Sequence, residues 1–420
     1  MGASGHLVQL GDAAVMLDAG RDPRRPVTPE VAPAQHAGVR ALVLSHAHLD
    51  HSGGLPIVLR GLPGVRIVAT PATRALAEIA LVDHLRRCRS QAGARGLPFS
   101  EAERRALPWE ERPFGASAPL WPGGPVCTLL PAGHLTGSAG VLLEHSGSRV
   151  FYSGDVHLAC RAWQAGARWP TDRIDVLIVE STQGANPVLD GLAQPVLEAS
   201  LVAALACALA QGGRVLLPVF AFGKAQEMLV LVHRARLAGA LPEVPIYLSG
   251  LARAVTRACI AGAVGEEGDA GVLAAALRAC RPLTPPSASQ PPPEPALFLA
   301  GSGMLGDGSL SNALSDQIGR RAGDSVFFVG YLDPDTPGHE LRARPAASGE
   351  GLAVRAFPFS AHAARDDLVR AIRDLAPRHV VLVHGDAAAR DGLAERLGAA
   401  CPATRVHRPV GGETLVLPPA

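Results

Sequence analysis

His46-Ala47-His48-Leu49-Asp50-His51 follows directly on the apolar run Ala41–Leu44, so a strand stops and a short loop then presents three imidazoles and a carboxylate. His46 and His48, two residues apart, point the same way from an extended segment, while Asp50 and His51 lie further round the turn. Imidazole nitrogens and carboxylate oxygens suit zinc first among common metals, with manganese or iron as alternatives. Four donors in six positions are enough to serve two adjacent metals.

Further donors stand where other apolar runs stop. His134 follows Pro131-Ala132-Gly133 after Cys127–Leu130, Asp155 follows Tyr152-Ser153-Gly154 after Arg149–Tyr152, and His384 follows Val380–Val383 with Gly385 next. A single histidine at a strand end is usually an ordinary hydrogen-bonded residue. Taken with the hexapeptide, these residues form a set. Two metals that share a carboxylate and a water generate hydroxide near neutral pH, and they stabilise both the attacking and the leaving oxygen of a phosphoryl displacement.

The 420 residues, 48% of them hydrophobic, suffice for two domains with full cores. With 39 basic and 38 acidic residues, any nucleic-acid binding must come from a local groove, since net charge offers phosphate no general attraction. Lys224 is the single lysine; the arginine excess, beside so much Ala, Gly and Pro, reads as nucleotide bias. Seven scattered cysteines, none in a C-x-x-C pair, argue against a disulfide framework or a cysteine-zinc site and for reduced core residues in a cytosol. The N-terminus has no basic segment followed by an apolar one, and the longest apolar run, 201–210, is too short to span a bilayer. A cytoplasmic location and no membrane partner are expected.

Short β-rich runs dominate to about residue 180: 6–10, 13–17, 40–44, 65–69, 127–130, 140–143, 149–152 and 174–179. Helix and strand then alternate, with helices near 191–210, 223–237 and within 251–280, and strands at 214–218, 245–248, 296–300 and 325–330. That alternation predicts a parallel sheet covered by helices. The tract PLTPPSASQPPPEP (282–295) reads as an exposed loop inside this second part. From about 352 the pattern predicts a strand, helix 365–374, strand 378–383, helix 387–398 and two terminal strands.

This arrangement resembles the metallo-β-lactamase superfamily, whose H-x-H-x-D-H motif is matched by residues 46–51. Asp18, in Leu17-Asp18-Ala19-Gly20, resembles the family's first motif, an aspartate that orients the metal loop from behind. The resemblance implies two zinc ions, with His46, His48 and His134 on one, Asp50, His51 and His384 on the other, and Asp155 bridging them. The implied fold is α/β, an αββα sandwich. Within the superfamily the second half is similar to the β-CASP nucleases, such as the cleavage-and-polyadenylation endonuclease and ribonuclease J. Glu180-Ser181-Thr182 resembles their motif A, Phe359-Ser360-Ala361-His362 motif B and Val383-His384-Gly385 motif C. Segments 212–227, 301–305 and 328–338 resemble their inserted domain. The implied organisation is a catalytic domain over 1–181 and 352–420, interrupted by a β-CASP cap over 182–351, with RNA in a groove between the two.

Phosphodiester cleavage needs a nucleophile and a proton for the departing ribose oxygen. Asp50 belongs to the catalytic group, and His362 is the candidate general acid, with Glu180 placed by the resemblance to raise its pKa and fix its tautomer. Ser302 and Gly303 offer a hydroxyl and backbone N–H groups to phosphate, and Lys224 with its helix N-terminus offers charge and a dipole.

The chain departs from the family pattern in three ways. Ala364 stands where an aspartate is common, Gln183 stands where a tyrosine often follows Glu-Ser-Thr, and the sequence starts almost at strand 6–10, where the family usually has a strand ahead. The other nine histidines (His6, His36, His84, His145, His157, His233, His339, His379, His407) read as structural or surface, His157 being the strongest further candidate.

The implied activity is endonucleolytic hydrolysis of single-stranded RNA to 5′-phosphate and 3′-hydroxyl ends, with a homodimer as an allowed assembly. A DNA-directed β-CASP nuclease is the second reading, disfavoured by the motif C histidine because the repair branch commonly has valine there. A third is an RNA-binding subunit with a weak site; such subunits lose ligands, and all seven are present here.

Overall fold

The computed structural model describes residues 2–22, 38–92, 98–262, 268–321, 323–344 and 352–418; His36 lies outside them. The chain divides into two compact units, Met1–Ala159 with Ala165–Asp190 and His362–Ala420, and Cys160–Gln164 with Gly191–Ala361.

In the first unit β1 (His6–Leu10), β2 (Ala13–Leu17), β3 (Val39–Val43), β4 (Arg66–Ala69) and β5 (Trp109–Glu111) form one sheet in that order. The second sheet uses β6 (Ala118–Pro119), β7 (Val126–Pro131), β8 (Ala139–His145), β9 (Ser148–Tyr152), β10 (Val176–Glu180), β17 (His379–Val383) and β18 (Arg405–His407), in the order β18-β17-β10-β9-β8-β7-β6. The two pack face to face through a shared core that includes Val15, Leu17, Ala41 and Val43 from one sheet and Leu129, Val141, Tyr152 and Ile178 from the other.

Side-chain alternation decides what each strand covers. On β10, Val176 and Ile178 join the core between the sheets, whereas Leu177 and Val179 face a second core with Leu368 and Ile372 of helix Arg365–Leu375 and Leu393 and Leu397 of helix Ala387–Ala400. β17 divides in the same way, Val381 and Val383 against Val380 and Leu382. Both strands are apolar nearly throughout because both of their faces are covered. Helix Pro71–Ala92, which the strand-rich reading of this region omits, buries Leu76, Ala77, Ala80, Leu81 and Leu85 along one face. The result is an αββα sandwich.

The second unit is a parallel sheet of β11 (Val215–Pro218), β12 (Ile246–Ser249), β13 (Arg281–Leu283), β14 (Leu297–Ala300), β15 (Ser325–Phe328) and β16 (Ala353–Ala356), ordered β13-β12-β14-β11-β15-β16. Two expectations need correction. The proline tract is not wholly loop: Pro282 sits in the edge strand β13, and Pro285 opens helix Pro285–Ser289, whose N-cap Thr284 accepts the Ser287 N–H. An edge strand tolerates a missing donor, and the first helical position does not need one. Among the described residues after the last helix one strand forms, β18; Leu415 and Leu417 pack on the core outside the named strands.

Candidate metal centre

Asp18, the hexapeptide, His134, Asp155, Glu180 and His384 all follow or close strands of the first unit at their carboxyl ends. β2 and β3 run parallel, as do β9, β10 and β17, so each sheet delivers its side chains at one edge. Main-chain bonds join the hexapeptide to the segment after β2: Ala19 N–H donates to the His51 carbonyl at 2.8 Å and Arg21 N–H to that of Leu49 at 2.9 Å. Gly20 permits this approach, because a Cβ there would lie 1.6 Å from the Asp50 carbonyl oxygen. Asp18 and His384 adopt φ of 60° and 47°, a left-handed backbone unusual for side-chain-bearing residues and common at functional sites.

Asp155, 2% exposed, lies at the middle of the cluster. Its Oδ2 faces His46 Nε2 at 3.5 Å and His134 Nε2 at 3.6 Å, while its Oδ1 faces His51 Nε2 at 3.3 Å and His384 Nδ1 at 3.2 Å. His48 Nδ1 lies 3.1 Å from His134 Nε2, and Asp50 Oδ2 lies 3.4 Å from His384 Nε2. His46, His48, His134 and Asp155 therefore form one donor group, and Asp50, His51 and His384 another, with donor atoms in each within 4.8 Å of one another.

Several observations test whether divalent metal ions fit. Donors around a tetrahedral zinc, each about 2.1 Å away, stand about 3.4 Å apart, which matches the separations at Asp155. His46 Nε2, His51 Nε2 and Asp155 Oδ1 are buried and make no hydrogen bond within the protein. Burial pushes the His46, His48 and His134 imidazoles below their ordinary pKa, leaving neutral rings with lone pairs. Burial alone would raise the Asp155 carboxyl, but His384, His51, His46 and His362 hold it well below its ordinary value, hence ionised. Neutral His46, His48 and His134 beside an ionised carboxylate are a metal-binding donor set; at His51, burial alone would lower the imidazole, but Asp155 and Asp18 hold it well above its ordinary pKa, so a metal there displaces a proton.

Asp18 stands behind the cluster. Its Oδ1 accepts the Ser45 N–H and its Oδ2 accepts from Ser45 Oγ, Tyr152 OH and His51 Nδ1, each at 2.7 Å. Asp18 thus holds the far nitrogen of His51 and leaves Nε2 toward Asp155.

Glu180, His362, Asp155 and His384 also lie close enough to form a donor group, but the Glu180 oxygens are engaged. Val156 N–H donates to Oε1 at 2.6 Å, Thr182 Oγ1 to Oε2 at 2.5 Å, and His362 Nδ1 lies 2.8 Å from Oε2 and 3.0 Å from Oε1. Burial would lower the His362 imidazole, yet Glu180, with Asp155 behind it, raises it to about 9. Its ring centroid is 4.8 Å from that of His134. A protonated imidazole therefore stands beside the donor cluster with one nitrogen held.

His157, the further candidate, turns its Nδ1 toward the Ala159 carbonyl at 2.9 Å. Lys224, Ser302 and Gly303 belong to the second unit. Lys224 is buried, its Nζ donating to Glu227 Oε2 at 2.6 Å, and Arg161 NH1 lies 3.5 Å from the same oxygen. Ser302 Oγ accepts the Gly306 N–H at 2.6 Å, and Gly303 lies under the Phe220 ring, where a Cβ would come within 2.9 Å of it. Ser45 and Tyr152 carry no signal of their own in the sequence beyond adjoining the donor motifs.

An αββα sandwich with a histidine–carboxylate cluster at its strand ends defines a metallo-hydrolase of the β-lactamase type. Residues 14–219 match the family model of the beta-lactamase superfamily domain, 225–341 that of the Beta-Casp domain, and 352–406 that of the Zn-dependent metallo-hydrolase RNA specificity domain. A ribonuclease of Thermus thermophilus is 33% identical over 91% of this chain and 90% of its own length; an RNase J-like protein of Methanocaldococcus jannaschii is 28% identical over 90% and 88%. A crystal structure of an Enterococcus faecalis protein of unknown function shares the fold, at 16% identity and a TM-score of 0.60 over 99% of this chain and 97% of that one. The chain belongs to the β-CASP group of the metallo-β-lactamase superfamily.

Proposed function

We propose that this chain is a zinc-dependent ribonuclease that hydrolyses phosphodiester bonds in single-stranded RNA, cutting endonucleolytically. The observation that carries this reading is the Glu180–His362 pair beside the Asp155-centred donors. Phosphodiester hydrolysis needs a protonated group next to a site that activates water, because the departing ribose oxygen is a strongly basic alkoxide. The ribonuclease relatives and the RNA specificity domain support RNA as the substrate.

In this reading His46, His48 and His134 would hold one zinc and Asp50, His51 and His384 the other, with Asp155 a donor between the two groups. Zinc bound there polarises phosphoryl oxygens and makes water acidic enough to lose a proton near neutral pH. Asp50, whose side chain is 17% exposed, orients the attacking water. Glu180 holds His362 through Nδ1, so the proton for the departing ribose oxygen leaves from Nε2. Ser302 and Gly303 contact substrate phosphate. Lys224 serves to hold Glu227.

Purified zinc-loaded protein should cleave labelled single-stranded RNA faster than matched DNA, with affinity falling as salt rises. Equal or faster DNA cleavage would move the substrate to DNA. Hydrolysis of a β-lactam or lactone with no cleavage of either nucleic acid would overturn the nuclease reading.

A further inference from the structure

We propose that the Ser45 hydroxyl is a positioning group shared by both halves of the metal centre, fixing the ring of His46 directly and that of His51 through Asp18. The inference rests on the reading that the cluster holds two ions.

Ser45 is 1% exposed, and its backbone is fixed on both sides: its N–H donates to Asp18 Oδ1 at 2.7 Å, and its carbonyl accepts the Ala139 N–H at 2.8 Å. Its Oγ lies 2.7 Å from Asp18 Oδ2 and 3.1 Å from His46 Nδ1. A carboxylate oxygen only accepts, so the single Ser45 hydroxyl proton lies on the bond to Asp18. The remaining contact then requires His46 Nδ1 to donate. In a neutral ring that leaves His46 Nε2 with the lone pair, and this is the buried atom that faces Asp155 Oδ2 without a hydrogen bond.

The same hydroxyl bond steadies Asp18, whose Oδ2 accepts from His51 Nδ1 at 2.7 Å and so fixes that nitrogen as the donor and turns His51 Nε2 toward Asp155 Oδ1. His46 and His51 belong to different donor groups. One proton on Ser45 thus fixes a ligand in each. Tyr152, 1% exposed, supplies a one-sided counterpart: its hydroxyl donates to Asp18 Oδ2 at 2.7 Å and has no bond to His46.

The experiment is a zinc titration of the full chain against a competing chelator, paired with the absorption spectrum of the cobalt-substituted protein and the melting of the metal-free form. Ser45→Ala should weaken both ions by about 10- to 100-fold, the usual loss when a partner behind a ligand is removed, and should alter the cobalt bands. Tyr152→Phe, which keeps the ring, should weaken one ion and leave the other at the parent affinity. A Ser45→Ala variant that binds both ions like the parent, or weakens only one, overturns the inference even if its metal-free form melts lower. Where Ser45→Ala does not fold, Tyr152→Phe decides: weakening of one ion upholds the relay through Asp18, and weakening of neither or both overturns it. A parent that binds no more than one ion is a different failure, since it removes the two-ion reading and the inference with it.

Discussion

Two loops leave the carboxyl ends of buried strands, one after β3 at residues 45–51 and one after β14 at 301–306, and they treat their polar groups in opposite ways. The first is held by main-chain bonds and by Asp18, yet leaves His46 Nε2 and His51 Nε2 buried without a hydrogen bond. The second turns inward: Ser302 Oγ accepts from Gly306, its carbonyl accepts from Ser311 Oγ at 2.7 Å, and the Leu305 carbonyl accepts from Asn312 at 3.1 Å. Buried polar atoms left unpaired cost folding free energy, so where they cluster the protein is built for something else to complete them. A loop whose groups satisfy one another is first of all a scaffold.

Among substitutions that leave the His362 ring in place, the largest expected effect is at Glu180. Because His362 is raised to about 9 mainly by this carboxylate working against burial, the imidazolium is present below that pH and lost above it. Glu180→Gln removes that charge, so the alkaline fall in cleavage should begin at lower pH, and the rate at pH 8 should drop about 10- to 100-fold. A pH–rate profile with an unmoved alkaline limb would separate Glu180 from proton donation.

Lys224 sharpens the contrast from the second unit. With its charge committed to Glu227, Lys224→Met should cost about 3 kcal/mol in urea unfolding, the lower end for a buried pair broken on one side, since Arg161 still faces the carboxylate. The salt dependence of RNA binding should be unchanged. A loss of about one unit in that slope, with stability intact, would assign Lys224 to substrate phosphate instead.

The smallest effect concerns Ala364. It occupies the N-cap of helix Arg365–Leu375 at φ −63° and ψ 149° with no side-chain cap, where the resembled family commonly has aspartate. Ala364→Asp should raise stability by about 1 kcal/mol by accepting a first-turn N–H. A thermal melt that does not rise would show that this helix end needs no cap.

The donor set is legible because four donors crowd into residues 46–51 after a buried strand and others stand at further strand ends, and parallel strand direction brings such ends to one edge. That Asp155 stands between the two donor groups comes only with the family resemblance, and which of its oxygens faces which histidines depends on distances across both sheets. Glu180 and His362, 182 residues apart, were joined only through the family resemblance, and their contact at 2.8 Å is a property of the fold. Ser45 and Tyr152 give no such signal, because serine and tyrosine are ordinary residues beside a strand. Helix Pro71–Ala92 buries residues at helical spacing amid short apolar runs that read as strands, and the proline tract departs from a plain loop because edge strands and first helical turns accept prolines that central strands reject.

His362 supplies a proton in the proposed reaction and does not hold metal. Cleavage rates of His362→Ala and His384→Ala should be compared on ordinary RNA and on RNA whose leaving ribose oxygen is replaced by sulfur, which departs without a proton, with zinc content measured on the same samples. His362→Ala should keep its zinc, cut ordinary RNA about 10²- to 10⁴-fold more slowly than the parent, and recover most of that loss on the sulfur substrate. His384→Ala should lose zinc and recover little. If His362→Ala cuts ordinary RNA at the parent rate, or loses zinc as His384→Ala does, the central claim is wrong.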